Sequence, residues 1–563
     1  MNRMKRAAAL MLAALLCLTL LAACGEEKEE GLSLSVCVGA TPDTLDPIMV
    51  TEPGDETILE QLYENLMRVS VDTNGKTSAV NGVAKSVDEE KNSDGTVTYT
   101  FHLRKVQWSD GKDLTAGDFV YAWRRLANPV SQSPNARLLS VVKGYDTVRA
   151  GGDLSALAVT AKNSSTLVVT LKGKYDWFLT DVCTAAATMP LREDVVKRLK
   201  EAAEQKNQEA EKAGQTGENR WWTDAAGLVT DGAYTVSEYI PGTSLTTAAS
   251  ASYYGNLTGP SEIRYRFADS SEDAWALYKN KEVDFVSPLP EERLAELAKD
   301  STWSAASDLS TFTILFNTAA APLNDPLMRQ ALSLSLDRSA LSKLAGAAAR
   351  PATGLVPYGV PGSGEEDFRT AGGDLIDCTQ EHYAENCTAA KDRLTEADYD
   401  SGRSVKAMEL LYVEDGNAGQ VLQAAVKMWS AALQVSVTLR AVTKDELEDA
   451  LSKGSYVMAA MDPTAMVNDA ESFLMPFGSH STDNVVGYSN SAFDTLLSII
   501  DSASDSAARL ACLHDAESLL LEDSAVAPVY FLGNYWELRD SLTGVCRDAR
   551  GWYSFAGVHQ RTA

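Results

Sequence analysis

The sequence predicts a large, multidomain α/β protein, and three observations carry that prediction. Apolar residues at strand period alternate with apolar residues at helical period along the whole chain. Beyond the N-terminal leader, no apolar run approaches the ~20 residues that span a membrane. The 563 residues, 45% hydrophobic and 23% charged, exceed one ordinary core and have globular composition.

The elements follow in order. MNRMKR supplies Arg3, Lys5 and Arg6, an apolar run continues from Ala7 to Leu21, and small residues close it before Cys24. This is the pattern of a secretory signal. EEKEEG (26–31) reads as a solvated tether. LSLSVCVGA alternates as a strand, and TPDTLDP turns the chain. ETILEQLYENLMRV places Ile58, Leu59, Leu62, Leu66 and Val69 at helical spacing, and DTNGK marks a turn. Val97, Tyr99, Phe101 and Leu103 share one face of a strand, with His102 on the other. Thr115 and Asp118 open a helix whose inner face is Phe119, Val120, Trp123 and Leu126, with Arg124 and Arg125 solvated unless one pairs across a domain boundary. STLVVTL (165–171) is a strand, and 193–214 a long wet helix. GAYTVSEYI and SLTTAASA form a hairpin joined by Pro241-Gly242. SEDAWALYKNKEVDFV reads as helix, turn and strand, STFTILFN as a strand, and 325–345 as one helix with an apolar stripe. Residues 419–442 and 509–532 each repeat a helix followed by a strand.

Chemistry is harder to find than architecture. The net charge of −28 disfavours nucleic acid as a partner. The five histidines form no HExxH, and GxSxG, P-loop and dinucleotide-binding motifs are missing. No metal or cofactor is expected. KNSDGT lacks the closing Glu of a calcium loop and reads as a hairpin turn. His514 beside Asp515 reads as a surface pair. Of the eight cysteines, Cys378 and Cys387 lie close together in a polar, loop-like segment. A local disulfide between them is expected, with His382 at the surface. Trp108, Trp123, Trp221, Trp222, Trp429 and Trp536 could line a cleft, but core packing claims most of them. An exported, acidic α/β chain without catalytic motifs fits a solute receptor better than a secreted hydrolase.

A series of motifs then falls in one order. It comprises PDTLDP (42–47), LYENLM (62–67), TVTYTFHLRKVQWSDGKDLTAGDFVYAWRRLANP (96–129), LVTDGAYTVSEYIPG (228–242), NKEVDF (280–285), LFNTAAAPLNDPLMRQALSLSLDR (315–338), NDAESFL (468–474), GYSNSAFDTLL (487–497) and AESLLLEDSAVAPVYF (516–531). Together they resemble the solute-binding proteins of peptide- and nickel-type ABC importers. The resemblance implies a two-lobed, periplasmic-binding-protein-like fold (type II, cluster C) with an extra inserted domain. Domain I would comprise 32–70, 187–308 and 535–563, domain II 71–186, and domain III 309–534. It implies a monomer that closes on an oligopeptide by hinge motion and docks on a permease with its ATPase. Leu21-Ala22-Ala23-Cys24 resembles the lipobox of bacterial lipoproteins. That implies removal of residues 1–23, and a lipidated Cys24 and tether (24–31) holding the protein to the outer face of the membrane.

By position, the resemblance puts Thr51, Glu52 and Pro53 on one side of the ligand and Asp462 to Asp469 on the other. Thr464, Ala465, Met466 and Asn468 fall in that second stretch. Asn135 lies where a domain II aromatic often covers the cleft, and Tyr530 is a further candidate. One departure stands out: Met466 occupies the place of an Asp that commonly pairs with the peptide ammonium. Either Asp462 or Asp469 holds the amine instead, or the ligand is N-blocked or modified. A nickel chelate, a sugar, or a signalling role on the same fold stay open as alternatives.

Overall fold

The structure, a computed structural model, describes residues 31–71, 77–224, 227–290, 303–364, 366–399, 407–414, 416–503 and 505–562. The leader, Cys24, nearly all of the tether and the DTNGK turn lie outside the described residues. The chain opens with β1 (Ser33–Cys37) and α1 (Pro53–Leu62). The helix ends earlier than the spacing of Leu66 and Val69 predicts: Tyr63 is already extended. Residues 67–71 instead form β2 (Met67–Val71), paired with β3 (Thr77–Asn81). The cause is tertiary. Asn65 Nδ2 donates to Ala185 O at 2.8 Å and Thr188 Oγ1 at 2.9 Å, and Leu62 O accepts the Gly232 amide at 2.9 Å, which draws the chain off the helical path.

β4 (Ala84–Lys91), β5 (Val97–Leu103), β6 (Val159–Asn163) and β7 (Thr166–Leu171) form an antiparallel sheet in the order β4-β5-β7-β6. Val97, Tyr99, Phe101 and Leu103 are buried, while His102 faces out to Asp88 at 2.8 Å. α2 (Ala116–Ala127) covers this sheet with Phe119, Trp123 and Leu126. Asp118 starts the helix by accepting from the Thr115 amide and hydroxyl at 2.7 and 3.1 Å. Arg125 is not solvated; of the two arginines it is the one that finds a distant partner, and it is mostly buried. It makes two bonds to Asp46 at 2.6 and 2.5 Å, and Trp221 Nε1 donates to the same carboxylate at 2.9 Å. α3 (Glu193–Lys212) is the long solvated helix.

Ten further strands are β8 (Tyr234–Ile240), β9 (Ser244–Ala249), β10 (Glu262–Arg266), β11 (Phe285–Val286), β12 (Trp303–Phe316), β13 (Arg350–Pro351), β14 (Met408–Val413), β15 (Val437–Val442), β16 (Met458–Met461) and β17 (Val526–Leu538). They join β1 in one sheet, ordered β15-β14-β16-β12-β17-β11-β1-β10-β9-β8, with β13 added on β17. β12 and β17 are long enough to run through both lobes. At one end β17 pairs with β11, and at the other β12 pairs with β16. Their mutual register shifts between Ser307 and Thr311, midway along. One core gathers residues from Leu34 to Phe285 and from Leu542 to Val558. The second lobe packs both faces of its half of the sheet. Ile314, Leu410 and Val529 point to one side, and Leu315, Leu411 and Val526 to the other, as strand alternation requires.

Residues 325–345 are two helices, α4 (Pro326–Leu334) and α5 (Arg338–Ala345). The break falls where the Ser335 hydroxyl bonds back to Ala331 O at 2.8 Å and Asp337 caps α5 through the Ala340 amide at 2.9 Å. The segment read as a loop around Cys387 is also helical, α6 (Gln380–Glu396). This overturns the disulfide: Cys378 and Cys387 are both free thiols. Cys378 precedes the helix, and a rise of about 1.5 Å per residue carries Cys387 beyond disulfide reach. Cys378 Sγ instead contacts Ala352 O at 3.4 Å. His514 is no surface pair either; its ring stacks on Phe368 with centroids 3.9 Å apart. Two further helices of the second lobe are α7 (Lys444–Ser452) and α8 (Ser506–Glu522). No helix among the described residues is long and apolar enough to cross a membrane.

Candidate functional site

The cleft between the lobes holds a cavity of about 700 Å³. Its first wall is the entry to α1. Pro53 sits at the first helical turn, where its missing N–H costs nothing, and Thr51 and Glu52 lead into it. The stretch before it, a short 3-10 turn (Pro47–Met49) followed by the extended Val50, is pinned from outside. Asn135 Nδ2 donates to Val50 O at 2.6 Å, and the Ser133 hydroxyl bonds to Ile48 O. Asn135 therefore borders the cavity while holding the wall in place.

The second wall extends β16. The Ser310 hydroxyl donates to Asp462 O at 2.7 Å and Ala465 N to Leu309 O at 2.7 Å, so residues 462–465 run on beside β12. Asp462, Thr464, Ala465 and Met466 all line the cavity. Tyr530 lines it too, stacked on Phe312 at 4.8 Å between centroids and 8° between planes.

Asn468 and Asp469 are not among the lining residues. The Asn468 amide donates to Asp181 Oδ1 at 2.6 Å across the lobes. Asp469 accepts from both Nη atoms of Arg509 on α8 at 3.0 and 2.9 Å, and Arg509 also bonds Glu471. Burial, then Asp469 alongside, raises the Glu471 carboxyl above its ordinary value against the pull of Arg509. Asp469 thus braces the turn after Met466. Asp462 and Asp469, grouped together on sequence, stand in different surroundings.

Other lining residues were passed over on sequence. Glu56 lies one turn into α1 from Glu52, and Lys444 and Glu448 lie one turn apart on α7. Their i, i+4 spacing was the available signal. Arg550 lines the cavity from the far C-terminus, and no local pattern announces it. Its Nε donates to Asp548 at 2.8 Å and its Nη2 to Thr184 Oγ1 at 3.1 Å. Burial works against its charge, but Asp548, Glu56 and Asp181 more than offset this and hold its pKa above the ordinary value. Burial raises the Glu56 carboxyl, with Arg550 opposing. None of the six tryptophans weighed on sequence lines the cavity; Trp108, Trp123, Trp221 and Trp429 are buried in cores. Among the described residues, no cluster of His, Cys, Asp or Glu could hold a metal ion.

Two lobes joined by a pair of through-going strands, with a roomy cavity lined from both sides, define a solute-binding protein. Residues 79–484 match the family described as bacterial extracellular solute-binding proteins, family 5 middle, and the chain belongs to that family. The periplasmic oligopeptide-binding protein OppA of Escherichia coli is 28% identical over 505 residues, covering 88% of this chain and 86% of OppA. The probable deoxycholate-binding periplasmic protein YgiS of Escherichia coli is 27% identical over 497 residues, covering 87% of this chain and 86% of YgiS. Among solved structures, Haemophilus influenzae OppA in complex with RPPGFSPFR superposes with a TM-score of 0.72 at 25% identity, covering 94% of this chain and 99% of that one. The fold is the two-lobed one of the periplasmic oligopeptide-binding proteins.

Proposed function

We propose that this chain is a lipid-anchored receptor, not an enzyme, that captures short peptides between its lobes and delivers them to an ABC permease. Domain I (32–70, 187–308, 535–563) and domain II (71–186) form one jaw, and domain III (309–534) the other. The register shift of β12 on β17 between Ser307 and Thr311 favours a hinge there. The observation that carries the reading is the cavity of about 700 Å³ shared by Thr51–Pro53 and Asp462–Met466. That volume is in the range of ligand pockets, about 300–1,000 Å³. Lined by two extended segments, it suits a main chain that pairs with receptor backbone. With Met466 in place of the common Asp and Asp469 engaged by Arg509, the ligand ammonium falls to Glu52, Glu56 or Asp462.

Thermal melts of the purified protein with free peptides, the same peptides N-acetylated, and deoxycholate test the reading. A ligand at a hundred times its dissociation constant adds about 2.7 kcal/mol of stability. Free peptides are expected to raise the melt. A shift with deoxycholate and none with any peptide would overturn the peptide reading. Equal shifts from acetylated peptides would remove the carboxylate role.

A further inference from the structure

β12 and β17, the two strands that run through both lobes, are gripped from one side where their register shifts. A short hairpin near the C-terminus pairs Cys546–Arg547 with Tyr553–Ser554. From it the Arg547 side chain, only 5% exposed, reaches both strands. Its Nη2 donates to Asp308 Oδ1 and its Nη1 to Ser307 O at 3.5 Å, both on β12. Its guanidinium also lies over the Trp536 ring of β17, 5.7 Å from the centroid. Ser307 and Asp308 stand at the irregularity itself, because regular pairing stops at Ser307 and resumes at Thr311.

Each side of this grip leads to one wall of the cleft. The hairpin is fixed to α1: the Tyr553 amide donates to Thr57 Oγ1 at 3.0 Å, and Gln61 Nε2 donates to Tyr553 O at 3.0 Å. A Cβ at Gly551, in the turn of the hairpin, would stand 3.4 Å from Pro53, so the hairpin also abuts the entry to α1. On the other side, the two residues after Asp308 hold the second wall. Leu309 O accepts from Ala465 N, and the Ser310 hydroxyl donates to Asp462 O, each at 2.7 Å. The facing walls of the cavity are thus joined by one continuous path through Arg547 and Asp308. Arginine suits the junction: its fixed fork of donors bonds one strand while its flat face covers an indole of the other. A lysine ammonium is a single point charge and does not span both.

We infer that Arg547 is a positioning residue that sets the angle between the jaws and the placement of Asp462–Ala465 opposite Thr51–Pro53. The inference rests on the receptor reading and deepens it. A ligand needs both walls at once. Loosening the grip frees the two strands to twist at their irregular point, so fewer molecules present a closed cleft. Apparent affinity then falls in proportion to the binding-competent fraction. Coupling between linked sites is typically about 5–150-fold, and a fall of roughly tenfold is expected here.

Small-angle scattering of the unliganded protein and calorimetry with trialanine test the inference on the wild type, Asp308→Asn, Asp308→Glu and Arg547→Lys. Asp308→Asn and Arg547→Lys should each raise the radius of gyration and weaken trialanine binding roughly tenfold. Asp308→Glu, which keeps the charge, should stay near the wild type in both. Thermal melts identify a variant that fails to fold, and the other is then read in its place. An unchanged radius in the folded variants overturns the inference, whether or not the melt falls, because the grip is then merely structural. A larger radius with unchanged affinity overturns its reach to Asp462–Ala465. If neither trialanine nor any other peptide binds the wild type, the receptor reading falls, and the radius alone still decides whether Arg547 sets the jaw angle.

Discussion

The two jaws are each tied internally by buried charge, whereas contacts across the cleft include a few separable hydrogen bonds and a solvent-exposed ion pair. In the first jaw, Asp46 joins Arg125 and Trp221 and so locks the α2 sheet to the rest. In the second, Glu517 Oε1 receives Arg369 at 2.7 Å and the Leu355 and Val356 amides at 2.7 and 2.9 Å, with both charged side chains fully buried. Across the cleft stand Asp181 with Asn468, Ser506 with Asp176 at 2.8 Å, and Arg137 with Asp483. Under the proposed function, rigid jaws with separable contacts at their junction are what hinge capture would need.

The largest test of that contrast breaks a jaw. Glu517→Ala or Asp46→Ala each leaves a buried arginine without its partner and should cost about 3–5 kcal/mol in urea unfolding. Next comes a buried acid at the start of α1. Burial pushes the Asp55 carboxyl up to about 7, with the Thr44 amide opposing. The folded protein therefore keeps a proton that the unfolded chain releases near pH ~4. The stability carried by the neutral carboxyl is full below that pH and is lost as pH rises through about 7. Asp55→Asn, always neutral, should match the wild type in acid and exceed it by roughly 2–4 kcal/mol above neutrality, read from melts across pH. The joint is weaker. Asp181→Ala removes the acceptor of the Asn468 amide and should cost about 1–2 kcal/mol while shifting small-angle scattering toward a more open shape. The smallest effect concerns the thiols: with Cys378 and Cys387 unbonded, a reductant should leave the melting temperature unchanged.

Strands and helices were legible wherever packing followed period, as in Val97–Leu103 and Phe119–Leu126. They were not legible where a distant partner overruled it. Asn65, held by Ala185 and Thr188, ends α1 before Leu66, and Asp337 caps a new helix inside an apolar stripe. In the cleft, Thr51–Pro53 and Asp462–Met466 came from family resemblance and not from composition or periodicity. Arg550 could not be read because only tertiary folding brings it beside Glu56 of α1. That Arg125 and not Arg124 would be the one to pair was not legible, because its partner Asp46 lies 79 positions away.

The most direct measurement is photocrosslinking with a peptide carrying a diazirine side chain, followed by mass spectrometry of the digested protein. The account predicts saturable adducts within residues 50–56 and 461–466. Saturable binding with adducts confined to other surfaces would contradict it.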